Sequence, residues 1–127
     1  KDDISYRYSI DGYGTIKAQI IKALRTTIAP IIMDFRNSLE WGSIRCCITN
    51  EILYPENTHI DHFDKTFKEL TEIWLSGFDL QSLYESLAEC QFGYILPETL
   101  AKGFIEFHNA STHLRPVTIF ANLKIIK

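Results

Sequence analysis

Residues 45–62 read RCCITNEILYPENTHIDH. Two short segments of this stretch, residues 45–49 and 58–62, are rich in Ile, Cys and Thr, whereas residues 50–57 between them contain a proline and two asparagines. Segments of this composition on either side of turn-forming residues are typical of paired strands. The stretch therefore predicts a β-hairpin with a long tip, and its second strand ends in the polar pair Asp61-His62.

A second polar segment lies far along the chain. Residues 113–124 read HLRPVTIFANLK, so His113 is followed nine residues later by Asn122, and Lys124 comes two residues after that. The apolar residues around Asn122 predict a short helix. We expect this helix to pack on the hairpin and to bring Asn122 to Asp61 and His62.

Together these residues resemble the HNH (ββα-metal) endonuclease family, in which a hairpin presents an Asp-His pair and a helix returns an Asn or His to one metal site. Asp61 and His62 match the Asp-His pair. Asn122 falls at the family's usual spacing, and Lys124 completes an Asn-x-Lys ending. The resemblance covers residues 45–62 and 108–124.

The resemblance implies metal-dependent hydrolysis of DNA phosphodiester bonds. It makes His62 the general base, because an imidazole with a pKa near neutrality takes a proton from the attacking water. Asp61 and Asn122 would hold one Mg²⁺ or Mn²⁺, since carboxylate and amide oxygens are hard ligands. Arg115 and Lys124 would bind the substrate.

One geometric condition applies to the Asp-His pair. Neighbouring residues on a strand point to opposite faces of the sheet. Asp61 and His62 therefore serve one site only where a bulge or a strand end turns them together.

The chain also departs from the family pattern. Its three cysteines do not form the paired CxxC motifs that bind structural zinc in many HNH domains, so we predict no structural zinc. His113 stands where the family usually has its middle Asn. The long separation of His62 from His113 predicts a helical insertion over residues 63–112.

Three further histidines are candidates for the site. His59 lies two residues before Asp61, on the same strand face, and is expected to be a metal ligand, a hydrogen-bond partner of a ligand, or a solvated residue of the hairpin. His113 occupies the middle position of the family pattern. His108 and Asn109 come at the end of a predicted helix, where Asn109 is expected to act as the C-cap and His108 complements the helix dipole and stays a candidate for the site.

The expected fold class is α+β: a mostly helical domain in which a central β-hairpin and a C-terminal helix form a ββα-metal site. We expect residues 1–127 to form a single domain. An N-terminal arm and helices occupy residues 1–44, the hairpin residues 45–62, the insertion residues 63–112, and the metal-site helix residues 113–127.

Helical periodicity supports the helical parts of this division. It predicts one long bent helix, or two consecutive ones, over residues 15–38, with Pro30 at the bend. Within the insertion, helices are expected to begin at Asp64 as a cap, at Asp79, and at Glu98 after Pro97. Residues 4–10 alternate apolar and polar side chains and predict a strand or an extended arm.

Composition limits the choice of partners. The net charge of −3 lacks the basic excess of an autonomous nucleic-acid binder, so DNA affinity has to come from a local cluster, from further domains of a longer chain, or from a homodimer. No membrane partner is expected, because charged residues interrupt the apolar runs. Reduced cysteines outside any disulfide framework favour a cytoplasmic location.

Two alternatives to the nuclease remain open. The same fold could be catalytically inactive and serve as a protein-protein interaction module, which Mg²⁺ or Mn²⁺ would not stabilise. A zinc-binding regulator would use the nitrogen ligands His59, His62 and His113 and would prefer Zn²⁺ to Mg²⁺.

Overall fold

The computed structural model describes residues 12–91 and 93–126, and of residues 12–15 it describes the backbone alone. The described chain is mostly helical and adds two small antiparallel sheets, which confirms the α+β class. The arm predicted at residues 4–10 lies outside the described residues.

Helix α1, Gly12–Asn37, is the longest described element. It is one helix that continues through Pro30, although proline has no N–H to donate to the carbonyl of Thr26. Its buried stripe consists of Ile20, Ala23, Leu24 and Ile28. This stripe packs against α3, α4 and the small hairpin that are described next, and so forms the larger hydrophobic core.

The insertion contains three described helices and one hairpin. The helices are α2, Phe67–Leu75, α3, Leu80–Ser86, and α4, Glu98–Ser111. Asp79 caps α3 as predicted, with its carboxylate accepting the N–H of Ser82. The hairpin pairs β2, Ala88–Cys90, with β3, Gly93–Ile95. The insertion was predicted to be helical, and that prediction was wrong at residues 88–90 and 93–95, which form strands.

The sheet that carries the polar residues pairs two strands distant in sequence. Strand β1 is Thr58–Phe63 and strand β4 is His113–Thr118. They run antiparallel, with Asp61 opposite Arg115 and Phe63 opposite His113. The predicted hairpin over residues 45–62 was therefore wrong, because the second strand is present but takes a different partner.

The predicted first strand of that hairpin is instead a tight turn. The N–H of Asn50 donates to the carbonyl of Cys46 at 2.8 Å, and Asn50 has a φ of 66°. Only Arg45 and Ile52 form a bridge across it. An Asn in the left-handed region is typical of a turn, so residues 46–50 cannot extend alongside β1.

The metal-site helix predicted at residues 113–127 begins later than expected. Residues 113–118 form β4, and the helical part starts at residues 119–120 and continues as a C-terminal π-helix, Ala121–Ile126. Pro116 lies within β4, opposite Ile60, and proline is tolerated there because β4 is an edge strand. Thr118 ends the strand, since its hydroxyl accepts the N–H of Ala121 at 3.0 Å.

The cap of α2 also differs from the prediction. Thr66 is the N-cap, and its hydroxyl accepts the N–H of Glu69 while the Glu69 carboxylate accepts the N–H of Thr66. This is a capping box. Asp64 has a φ of 78°, lies outside the helix, and binds His113.

A second, smaller core lies beside β4. It joins Cys46, Leu53, Val117 and Ala121, all of which are buried. None of the described helices is both long and apolar enough to cross a bilayer.

Candidate functional site

Strand β1 divides its polar side chains between two faces. His59, Asp61 and Phe63 alternate with Ile60 and His62, as the pleat of a strand requires. The contacts follow this alternation, because Asp61 and Phe63 both meet Arg115, whereas His62 meets α4. The side chains of Asp61 and His62 are therefore not on the same face.

On the first face, Asp61 forms an ion pair with Arg115. The Nε of Arg115 donates to Oδ2 of Asp61 at 3.0 Å, and the side chains of Arg115 and Asp61 are only 23% and 7% exposed. The guanidinium also lies 4.4 Å from the centre of the Phe63 ring, and its Nη1 is 3.5 Å from the sulfur of Cys47. Arg115, expected to bind substrate, thus holds the Asp61 carboxylate in place.

The same face carries a contact between His59 and Asn122. The amide Nδ2 of Asn122 donates to Nδ1 of His59 at 2.9 Å. Asn122 is 8% exposed, and its Oδ1 has no hydrogen-bond partner among the described residues. A buried acceptor without a donor costs about 1 to 3 kcal/mol, so such an atom calls for a functional explanation.

On the second face, His62 belongs to a chain of three polar side chains. Its Nε2 lies 3.0 Å from Nε2 of His108, and Nδ1 of His108 lies 2.9 Å from Oδ1 of Asn109. Because an amide oxygen only accepts, His108 carries its proton on Nδ1 and accepts at Nε2. His62 then donates from its own Nε2.

This arrangement changes the interpretation of the end of α4. His108 is 1% exposed and packs among Phe104 and His62, so it is not a solvated cap. Asn109 does not end the helix, which continues to Ser111 with Thr112 as its C-cap. Asn109 instead orients His108.

Two predicted site residues lie apart from these groups. His113 is 78% exposed at its side chain, and its Nδ1 lies 2.8 Å from Oδ2 of Asp64. Lys124 is exposed on the C-terminal π-helix. His59, His62 and His113 therefore have three different partners, and the described structure does not bring them together as a zinc site.

A cavity of about 530 Å³ lies beside β1. Its wall includes the three consecutive residues Ile60, Asp61 and His62. Since successive side chains alternate, a cavity that touches all three runs along the edge of the strand and not over one face. The edge in question is free in the described chain, because β1 pairs only with β4. The cavity thus borders both Asp61 and His62, although their side chains point to opposite faces and the unbroken register of β1 contains no bulge that would turn them together.

Cys46 is a buried thiol surrounded by N–H donors. Its sulfur accepts the backbone N–H groups of Ile48, Thr49 and Thr118, each at 3.4 Å. Burial raises the pKa of Cys46, but these hydrogen bonds and one from the Thr49 side chain outweigh it and lower the pKa from 9.0 to about 7. The lowered pKa favours a thiolate at Cys46, which the sequence did not indicate.

The donor atoms fit a hard divalent metal in type. Among the described residues no group of three or more His, Cys, Asp or Glu side chains converges. Amide oxygens also bind Mg²⁺ and Mn²⁺, however, and Asn122 presents a buried amide oxygen without a donor on the face that carries Asp61. The orphaned Oδ1 of Asn122 is thus an oxygen of the type that these metals bind.

The comparisons with known proteins return no match: no family model, no curated protein and no solved structure is significantly similar to this chain. The functional argument therefore depends on the residues and their contacts.

Sequence reasoning missed the partners of the predicted residues. Periodicity assigned His108 to a helix end, but it could not show that α4 returns to β1 at the level of His62. The basic residues along the cavity, Arg25, Arg36 and Lys68, were also missed. The spacing of Arg25 and Arg36 with Ile28 and Ile32, in steps of three or four, was the available signal.

Proposed function

We propose that this chain is a metal-dependent endonuclease of the HNH type that hydrolyses phosphodiester bonds of DNA. The observation that carries the proposal is the buried, unpartnered Oδ1 of Asn122 on the face that holds Asp61. The element order β1, insertion, β4 and C-terminal π-helix supports it, because it is the strand-strand-helix order of a ββα-metal site with a long insertion.

The proposed ligands are Asp61 and Asn122. A bound Mg²⁺ or Mn²⁺ supplies positive charge against the charge that develops on the phosphate oxygens. Arg115 holds the Asp61 carboxylate by its Oδ2, which leaves the second oxygen of that carboxylate as the donor. His59 fixes the amide of Asn122 so that Oδ1 keeps one direction.

The proposed general base is His62. It takes a proton from the water that attacks phosphorus, and the bond from phosphorus to the leaving oxygen breaks as that oxygen is protonated from solvent. His108 positions the imidazole through the 3.0 Å contact, and Asn109 in turn positions His108. A base oriented by a third group in this way is a recurring design of hydrolytic sites.

The test is cleavage of supercoiled plasmid DNA in Mg²⁺ or Mn²⁺ by wild type, Asn122→Ala, Asn122→Asp and His113→Ala. We expect wild-type nicking, a loss on the order of 10² or more in Asn122→Ala, and substantial retention in Asn122→Asp, because a carboxylate is also a hard oxygen ligand. His113→Ala is the matched control, since His113 is exposed and paired with Asp64. Wild type without activity in any divalent metal would refute the proposal.

A second candidate function is a non-catalytic interaction module. Three apolar side chains near the C-terminal π-helix favour it: Phe120, Leu123 and Ile125 are 60%, 54% and 53% exposed. Large exposed apolar groups in one short segment are typical of protein-binding surfaces. Such a module binds no metal at Asn122, so Mg²⁺ and Mn²⁺ leave its thermal stability unchanged.

A further inference from the structure

The cavity beside β1 has an uneven distribution of charge. Its wall includes the cations Arg25, Arg36 and Lys68 and a single carboxylate, Asp61. That carboxylate is already paired with Arg115. No carboxylate of the described residues lies within ion-pair distance of the three cations. The cavity therefore carries a local positive excess within a chain whose net charge is −3.

Contacts with uncharged groups hold both arginines. Arg25 places its guanidinium 4.4 Å from the centre of the Phe67 ring. Arg36 donates from Nη1 to the carbonyl of Thr58 at 3.1 Å and from Nη2 to the carbonyl of Pro55, and it lies over the ring of Trp41. These contacts fix the guanidinium groups without neutralising them, so their charge is ready for an anionic ligand.

The α2 N-terminus adds to this potential. Thr66, Phe67 and Lys68, which are its N-cap and first two helical residues, line the cavity. Unpaired N–H groups at the start of a helix attract anions. Glu69, in the same turn, is committed to the N–H of Thr66.

The rest of the wall is apolar. Ile28, Ile32 and the half-exposed Met33 present one stripe of α1 to the cavity, opposite Ile60 of β1. A cavity of about 530 Å³ is in the size range of small-ligand sites. It has room for one nucleotide and not for a double helix.

From these observations we infer that the cavity binds one nucleotide of a single DNA strand, with its phosphates against Arg25 and Lys68 and its base or sugar against Ile32 and Met33. The DNA assignment rests on the proposed function, and it deepens it by naming the strand-binding site. A strand held there passes along the edge of β1, where Asp61 and His62 meet the cavity.

The inference is tested by fluorescence anisotropy with a labelled twelve-residue oligothymidylate in EDTA, so that cleavage plays no part. We expect the wild-type affinity to fall as salt is added. In a plot of the logarithm of the association constant against the logarithm of the salt concentration, the slope should be about −0.7 for each phosphate contacted. Arg25→Gln and Lys68→Gln should each weaken binding about 3- to 10-fold at low salt and each reduce the slope by about 0.7. Arg25→Lys keeps the charge and should keep the slope.

Two further variants separate the cavity from general charge effects. Lys102→Gln removes the same charge from α4, where Lys102 pairs with Glu98 outside the cavity, and should bind as wild type does. Met33 is 54% exposed at the mouth of the cavity, so Met33→Asp places a carboxylate there and should weaken binding at least about 3-fold. Circular dichroism checks that each variant is folded.

Several outcomes would overturn the inference. They are unchanged affinity in both Arg25→Gln and Lys68→Gln, an equal loss in Lys102→Gln, tighter binding of a duplex of the same length, or tighter binding of the RNA strand. Failure of the proposed function would give a different result. Wild type would bind the strand in EDTA but would show no cleavage with any divalent metal. Cleavage with an unchanged KM in Arg25→Gln and Lys68→Gln would instead refute the cavity alone.

Discussion

Asp61 and His62 are adjacent in the chain, yet each depends on a different partner element. Asp61 is held by Arg115 of β4, and His62 is held by His108 of α4. Their roles in the proposed reaction can therefore be altered one at a time. His62 is the more informative residue, because its imidazole both contacts a buried group and serves as the proposed base.

For His62 we predict that two substitutions differ in their effect on stability but not in their effect on activity. His62→Ala leaves Nε2 of the buried His108 without its donor and should lower the free energy of unfolding by roughly 1 to 3 kcal/mol. His62→Gln retains an N–H donor at about the same distance and should lose less than about 1 kcal/mol. Both variants lack the base and should lose about 10² to 10⁴ in cleavage rate. Urea unfolding and plasmid nicking measure the two effects, and an active His62→Gln would exclude His62 as the base.

Cys46 gives a prediction about pH. Its folded-state pKa of about 7 lies below the 9.0 of an ordinary thiol, so the folded state binds fewer protons between these values. The extra stability, roughly 2 to 3 kcal/mol, is fully present above pH 9 and is lost as the pH falls through about 7. Urea unfolding in a reductant from pH 6 to 9.5 should show this rise in wild type and in Cys47→Ala. An equal rise in Cys46→Ala would assign it to another group.

At the scale of elements, local pattern predicted the helices and missed the pairing of the strands. The periodicity of α1 and the first residues of α3 and α4 depend on neighbouring residues, so the sequence contains them directly. The pairing of β1 with β4 joins residues at least 50 positions apart, and Asp61 opposite Arg115 is one such pair. Tertiary packing selects between such partners. The residue types of the site were predictable, but their hydrogen-bond partners were not.

At the start of α2, the cap predicted from the sequence and the cap in the structure differ by two residues. Asp64 and Thr66 are both good cap residues, and the sequence analysis chose Asp64. The left-handed backbone at Asp64 takes it out of the helix, which leaves Thr66 to accept the N–H of Glu69. The choice between the two caps therefore follows the backbone angle at Asp64.

This difference is measurable by substitution. Thr66→Ala should lower the free energy of unfolding by about 1 kcal/mol, the usual effect of losing an N-cap. Asp64→Gly, which keeps a residue suited to positive φ, should cost less than about 0.5 kcal/mol, because its pair with His113 is solvent-exposed. Thermal unfolding of both variants measures these losses of stability. A larger loss in Asp64→Gly than in Thr66→Ala would show that Asp64 is the cap.

At the scale of the whole molecule, the polar site and the two cores have conflicting requirements. The cores bury Phe104, Leu24 and Val117 completely, whereas the site buries the polar residues Asp61 and Asn122, and Oδ1 of Asn122 has no hydrogen-bond partner among the described residues. A buried polar atom without a partner lowers stability in the absence of its ligand, as functional sites commonly do. The protein should therefore gain stability from whatever ligand satisfies Asn122.

The last prediction uses that link between ligand and stability. With Mg²⁺ or Mn²⁺ at 100 times its dissociation constant, binding stabilises the folded state by about 2.7 kcal/mol, which for a domain of this size is a rise in Tm on the order of 10 °C. Asn122→Ala should lose this rise. Without metal, it should be about as stable as wild type, because the lost contact with His59 is offset by removal of the orphaned oxygen. EDTA should return wild type to its metal-free Tm without unfolding it, since we predict no structural zinc. A wild-type Tm that neither metal raises would leave Asn122 without a metal-binding role and would favour the interaction module.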